Sequence, residues 1–117
     1  MTQDPWVWAA AAVVVLLVGR RLIGGGKVSS SVVLEKIKAG ATVVDVRTPE
    51  EFRDGFYQGA INIPLQDLGR RQGEIPKDRP VVLYCASGGR SGVAARMLRS
   101  AGWADVTNAG GLHDMPR

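Results

Sequence analysis

The stretch VVLYCASGGRSGVAARML, Val81 to Leu98, decides the fold. Pro80 is followed by an unbroken apolar run, Val81 to Tyr84, rich in the β-branched and aromatic residues of a buried strand. Cys85 comes directly after it. Ala86, Ser87, Gly88 and Gly89 form a loop of small residues, and a helix is expected to begin near Ser91. Helical periodicity then runs from Val93 to Ala101, with Gly102 as its stop. A strand that feeds a helix through a short small-residue loop is one half of a βαβ unit.

Working outward, the same alternation recurs. Ser29 to Ser31 can cap a helix with Val33, Leu34 and Ile37 as its apolar stripe and Gly40 as its stop. Thr42 to Val46 reads as a second buried strand. Thr48-Pro49-Glu50-Glu51 is a capping box with proline at the first helical position, and Gly55 closes that helix. Ala60 to Ile63 fits a short strand ended by Pro64, and Leu65 to Gln72 another short helix. Ala104 to Thr107 is expected to be a last strand, with Gly110-Gly111 as a turn. Strands alternating with helices predict an α/β domain with a mainly parallel central sheet flanked by helices.

The loop after Val81–Tyr84 has the makings of an anion site. Residues off the carboxyl end of a parallel strand and at a helix N-terminus meet a positive dipole end and unpaired N–H groups. The small side chains let successive amides curl toward one point. Arg90 adds a positive charge. Helix dipole, amides and Arg90 together predict a Cys85 thiol shifted below its ordinary value, and hence a nucleophilic thiolate. A phosphate-binding P-loop is excluded because no Gly-Lys-Ser/Thr closes the loop. His113 has no spacing relation to Cys85 and reads as a solvated surface residue near the chain's end.

Composition narrows the classes. Hydrophobic residues make up 45% and charged residues 22%, which excludes a disordered chain. The 117 residues hold 1 Cys and 1 His, too few for an intramolecular disulfide or a zinc site. A lone thiol suits a reducing compartment. The net charge of +4 is spread: three basic residues (Arg20, Arg21 and Lys27) stand against Asp4 before residue 28, and 12 basic residues against 10 acidic ones after it. No basic run with interleaved aromatics follows, so nucleic acid is not an expected partner.

Trp6 to Gly19 (WVWAAAAVVVLLVG) is an uninterrupted apolar segment followed at once by Arg20 and Arg21. A membrane span takes roughly 20 residues, and the segment reaches that length if it extends over residues 4–23 with the arginines snorkelling. Trp6 and Trp8 at one end and the basic residues at the other are interfacial anchors. A signal peptide carries its positive charge before the apolar run, whereas here it comes after. A single-pass membrane protein is therefore expected. The positive-inside rule puts its N-terminus outside and the remainder, Cys85 included, in the cytoplasm. Gly24-Gly25-Gly26 is a linker. The expected division is an anchor and linker over residues 1–27 and one domain over 28–117.

The domain's motifs resemble those of single-domain rhodaneses, the thiosulfate sulfurtransferases. CASGGRS after VVLY is similar to their active-site loop, VVDVRTPEEF (Val43 to Phe52) to their first signature, GAINIP (Gly59 to Pro64) to their second, and Asn108-Ala109-Gly110-Gly111 to their C-terminal Gly-Gly turn. All occur in the family's order and spacing. The resemblance implies a rhodanese-like fold and a sulfur transfer with no cofactor and no metal. Cys85 would be the catalytic nucleophile and persulfide carrier, with Ala86, Ser87, Gly88, Gly89, Arg90 and Ser91 as the substrate cradle. Asp45 and Arg47 would be a structural ion pair near the site. The implied partners are a small anionic sulfur donor such as thiosulfate and a thiol or cyanide acceptor, with a protein sulfur partner as a further possibility. Glu51 belongs to the capping box and stands where the family's signature helix can approach the pocket rim.

Alternatives follow from the same residues. A sulfur-relay or redox-sensing module would use Cys85 with a protein partner. A Cys-dependent phosphatase or arsenate reductase is disfavoured, because phosphatases use Cys-x5-Arg and only four residues separate Cys85 from Arg90. Where the family often has His-Ile-Pro-Gly-Ala, this chain has Phe56-Tyr57-Gln58-Gly59-Ala60, which is expected to expose two aromatics. After the Gly-Gly turn, LHDMPR leaves a final helix that is short or absent.

Overall fold

The computed structural model describes residues 28–117. Along the chain run α1 (Ser30–Lys38), β1 (Thr42–Asp45), α2 (Pro49–Arg53), β2 (Ile61–Asn62), α3 (Leu68–Arg71), β3 (Val81–Cys85), α4 (Gly89–Ser100) and β4 (Val106–Gly111). Single 3-10 turns at Leu65–Asp67 and Gln72–Glu74 flank α3, so the helix expected over Leu65 to Gln72 is broken into three short pieces. The sheet order is β2-β1-β3-β4 and every pairing is parallel.

Strand periodicity sorts the core onto two faces. Val81, Leu83 and Cys85 of β3 point to one side with Val44, Val46 and Ile63, where α4 covers them through Ala94, Ala95 and Leu98. Val82 and Tyr84 point to the other side with Val43, where Val33 of α1 packs. A strand covered on both faces is apolar throughout, which is why VVLYC is buried at every position. Cys85 shares the face that α4 covers, so it ends β3 directly beneath the start of that helix.

The connection out of β1 leads by α2 to β2 on one side of the sheet. The connection out of β3 leads by α4 to β4 on the other. The strand ends of β1 and β3 therefore border the crevice where such sheets bind ligands. Among the described residues no helix is long and apolar enough to cross a membrane. The anchor expected from residues 4–23 lies outside the described residues.

Several expectations differ in detail. Helix α4 begins at Gly89, earlier than Ser91, because Gly88 takes a left-handed φ of +103° at the N-cap and starts the turn itself. Gly110 and Gly111 are not a turn outside the sheet. They lie within β4, which pairs with β3 as far as Cys85 opposite Gly111 after a register shift between Leu83 and Tyr84. Ala104 lies before β4 starts. Of the two aromatics, Phe56 is exposed and stacked on Phe52 with centroids 4.3 Å apart. Tyr57 is half-buried against the Val82–Tyr84 cluster, and its amide donates to the Tyr84 hydroxyl at 2.9 Å. The segment after Gly111 forms one 3-10 turn, Leu112–Asp114.

Candidate active site

Cys85 is 1% exposed, the last residue of β3, and the loop that follows folds back over its sulfur. The Gly88 amide donates to Cys85 Sγ at 2.9 Å. Ser91, in the first turn of α4 and fully buried, places its hydroxyl 3.4 Å from the same sulfur. Burial pushes the thiol up. The Ser91 hydroxyl and the amides of Ser91, Ser87 and Gly88 pull it down, and the net shift is below the ordinary thiol value. These donors favour thiolate because they point at the charge without titrating themselves.

Arg90 lies close enough to Cys85 for a coulombic interaction, as expected, while its hydrogen bonds go elsewhere. Its guanidinium forms a two-pronged ion pair with Glu51 at the start of α2, Nη1 to Oε1 at 2.7 Å and Nη2 to Oε2 at 3.0 Å. Glu51 also closes the capping box, accepting from the Thr48 amide at 3.0 Å while its own amide donates to Thr48 Oγ1. Arg90 first, and the Thr48 amide second, hold the Glu51 carboxyl down at about 2. Glu51 is thus the cap partner of Thr48, and its pair with Arg90 ties the signature helix to the loop.

Asp45 and Arg47 form a second closed pair at the end of β1. Asp45 is fully buried; it accepts from Arg47 Nη2 at 2.7 Å, from Nε at 3.1 Å and from the Arg47 amide at 2.8 Å. Arg47 Nη2 also donates to the Gly55 carbonyl at 2.6 Å, which fixes the far end of α2. Asn62 of β2 donates to the Asp45 and Arg47 carbonyls, both at 3.0 Å. Through these bonds β1, β2 and α2 hold Glu51 in place.

Asn108 is a residue that sequence reasoning quoted only as part of a turn. It is 2% exposed in β4, and its amide joins three pieces of the site. Oδ1 accepts from the Ser91 hydroxyl at 2.6 Å and from the Gly110 amide at 3.0 Å, and Nδ2 donates to the Gly88 carbonyl at 3.1 Å. Behind the loop the two glycines of β4 make room. A Cβ on Gly111 would collide with the Ala86 carbonyl, and one on Gly88 would press on Gly110 Cα at 3.3 Å. No side chain can replace hydrogen at Gly111 without moving the loop.

Ala86, Ser87 and Gly89 are exposed on the outer side of the loop. From Ala86 an open groove of about 670 Å³ runs past Arg47, Phe56, Tyr57 and His113 to Met115 and Arg117. His113 is 72% exposed, as expected of it, yet it borders the groove that begins at the loop. Among the described residues no cluster of His, Cys, Asp and Glu is arranged to hold a metal.

Residues 29–114 match the family described as the Rhodanese-like domain. The chain is 42% identical over 88 residues to the uncharacterized protein YqhL of Bacillus subtilis, covering 73% of this chain and 70% of that one. It is 42% identical over 74 residues to thiosulfate sulfurtransferase PspE of Escherichia coli, covering 62% and 71% of the two. A solved rhodanese with anions from E. coli superposes on 66% of this chain and 95% of its own, with a TM-score of 0.62 and 41% identity.

Proposed function

The chain belongs to the rhodanese-like domain family and is a sulfurtransferase of the rhodanese type; from that premise we propose that Cys85 carries the sulfur as a persulfide. The Cys85 thiolate attacks the outer sulfur of a sulfane donor such as thiosulfate. The S–S bond of the donor breaks, its electron pair leaves with sulfite, and no proton moves. The Cys85 persulfide then passes its outer sulfur to a thiol or cyanide. Amides of Ser87, Gly88 and Ser91 hold the negative charge on sulfur through both steps. The observation that carries this reading is the convergence of Gly88 N–H and Ser91 O–H on one buried sulfur.

Intact-mass spectrometry tests it. Incubating the full chain with thiosulfate should add the mass of one sulfur atom, and cyanide should remove it. Cys85→Ser should show no addition. A thiol that stays unmodified while still alkylating readily would refute the persulfide cycle with this donor.

A second reading keeps the persulfide and changes its source, with a protein partner feeding sulfur to Cys85. The exposed Phe56, stacked on Phe52 at the edge of the groove leading to Ala86, favours it. A thiosulfate KM in the millimolar range or worse, beside efficient transfer from a protein persulfide, would support it.

The apolar run Trp6 to Gly19, flanked by tryptophans and arginines, supports a further proposal. Residues 4–23 span a membrane once, with the N-terminus outside and the sulfurtransferase domain in the cytoplasm. Deleting residues 1–23 should release the domain from membrane fractions with its transfer activity retained. Retention in the membrane fraction after deletion would defeat the tether.

A further inference from the structure

Two arginines stand at the crevice between β1 and β3, and each is matched by a carboxylate. Arg47 is closed by Asp45, which is fully buried, and Arg90 by Glu51, which holds it with both oxygens. Both of these arginines therefore come to the loop over Cys85 with their charge matched by a carboxylate, and Arg90 is close enough to act on Cys85 coulombically. Glu51 is 35% exposed, so the carboxylate that holds Arg90 is partly open to solvent. It lies 39 residues before Arg90 in sequence, so the pair is made by the fold and not by local spacing.

We propose that Glu51 is a specificity-determining residue, which by neutralising Arg90 turns the site away from the dianion thiosulfate and toward the persulfide of an organic thiol. This rests on the sulfurtransfer reading above and names the donor class for the same site. Thiosulfate brings two negative charges to a loop whose Arg90 is already neutralised by the Glu51 carboxylate. The persulfide group of R–S–SH brings at most one. The Cys85 thiolate attacks its outer sulfur, the S–S bond breaks, and the thiolate RS⁻ leaves. Cys85–S–SH keeps the proton, so charge and atoms balance.

The test uses the full chain with Glu51→Gln, Arg90→Gln and the double variant, and two donors, thiosulfate and the persulfide of 2-mercaptoethanol. Glutamine still closes a capping box with Thr48, so Glu51→Gln keeps the helix start and removes only the charge. Thiosulfate KM should fall roughly tenfold in Glu51→Gln, the order expected for one unmasked charge facing a dianion at a partly solvated rim. Its kcat should stay within about twofold, as for a change in uniform binding. KM for the persulfide should move much less. In the double variant thiosulfate KM should return to the wild-type value or above, because the gain needs Arg90. An unchanged or higher thiosulfate KM in Glu51→Gln overturns the proposal, as does an equal fall in KM on going from Arg90→Gln to the double variant. Failure of the underlying reading looks different: neither donor would then leave a cyanide-labile sulfur on the wild-type chain.

Discussion

Replacing Ser91 by Ala should lower the thiolate population of Cys85 about tenfold at any pH below the thiol's midpoint, and leave the chain folded. The size follows from the geometry. Ser91 has one proton and three acceptors in reach: Asn108 Oδ1 at 2.6 Å, Cys85 Sγ at 3.4 Å and the Gly110 carbonyl at 3.4 Å. While Cys85 is neutral, Asn108 is the best acceptor by distance. Ionisation draws the proton toward sulfur, and Asn108 Oδ1 keeps its other donor, the Gly110 amide at 3.0 Å. A hydrogen bond to a charged group contributes about 1.5–3 kcal/mol. The long contact and the rival acceptor place this one at the low end, and about 1.4 kcal/mol corresponds to tenfold. Burial opposes ionisation, and the Ser91 hydroxyl is the largest of the groups that outweigh it, ahead of the amides of Ser91, Ser87 and Gly88. The amides survive the substitution, so part of the shift survives too.

The assay is the rate of iodoacetamide alkylation against pH, read by intact mass; with 1 Cys in the chain the signal has one source. The midpoint should rise in Ser91→Ala. Thermal stability should change by less than about 1 kcal/mol, because no buried partner is left unsatisfied. A midpoint that stays fixed or falls would refute the assignment of thiolate stabilisation to this hydroxyl.

Gly111→Ala should drive the loop off its seat, since the added carbon meets the Ala86 carbonyl and the His113 ring. Single-turnover persulfide formation should fall at least about tenfold with about 1–3 kcal/mol of stability, whereas Gly89→Ala, with open space at its Cβ, should be near wild type in both. Arg47→Ala strands Asp45 in the interior. Urea unfolding should register a loss of about 3–5 kcal/mol, a large share of what a small domain has. Glu51 is held down at about 2, so it contributes stability above its ordinary value and loses it as pH falls toward 2. At 35% exposure the effect is screened to about 1 kcal/mol or less. Wild type should therefore lose stability more steeply than Glu51→Gln between about pH 4.5 and 2 in urea melts.

What the sequence made legible was local. VVLY announced a strand because four apolar residues in a row suit a position covered on both faces, and the strand then fixed Cys85 at its carboxyl end. Thr48-Pro49-Glu50-Glu51 announced a helix start because each partner of a capping box lies within one turn, and both of its bonds form. The start of α4 was placed late because glycines read as punctuation, while here Gly88 supplies the left-handed φ that begins the helix. Asn108 was hidden for a related reason. Asn-Ala-Gly-Gly has the composition of a turn, and only the register of β4 against β3 shows that its amide reaches under the loop. The one signal available was a polar residue following Val106-Thr107 in line with a strand.

Charge was the least legible feature, and the reason is physical. A sequence displays formal charges, and Arg90 five residues after Cys85 looks like a cation offered to an anion. Which cation remains available depends on tertiary pairing, and a carboxylate 39 residues away is invisible to spacing. Once Arg90 is matched by Glu51 and Arg47 by Asp45, the groups that touch the Cys85 sulfur are ones that carry no net charge. Amides and a hydroxyl fixed by Asn108 and the β4 glycines meet that need. Dipoles of this kind fall off faster with distance than a charge does. They favour negative charge on the sulfur they touch far more than on a donor still at the rim. The pairing of Arg90 with Glu51 thus loosens the link between two properties that a free arginine would couple: the reactivity of Cys85 and the attraction of the site for anions.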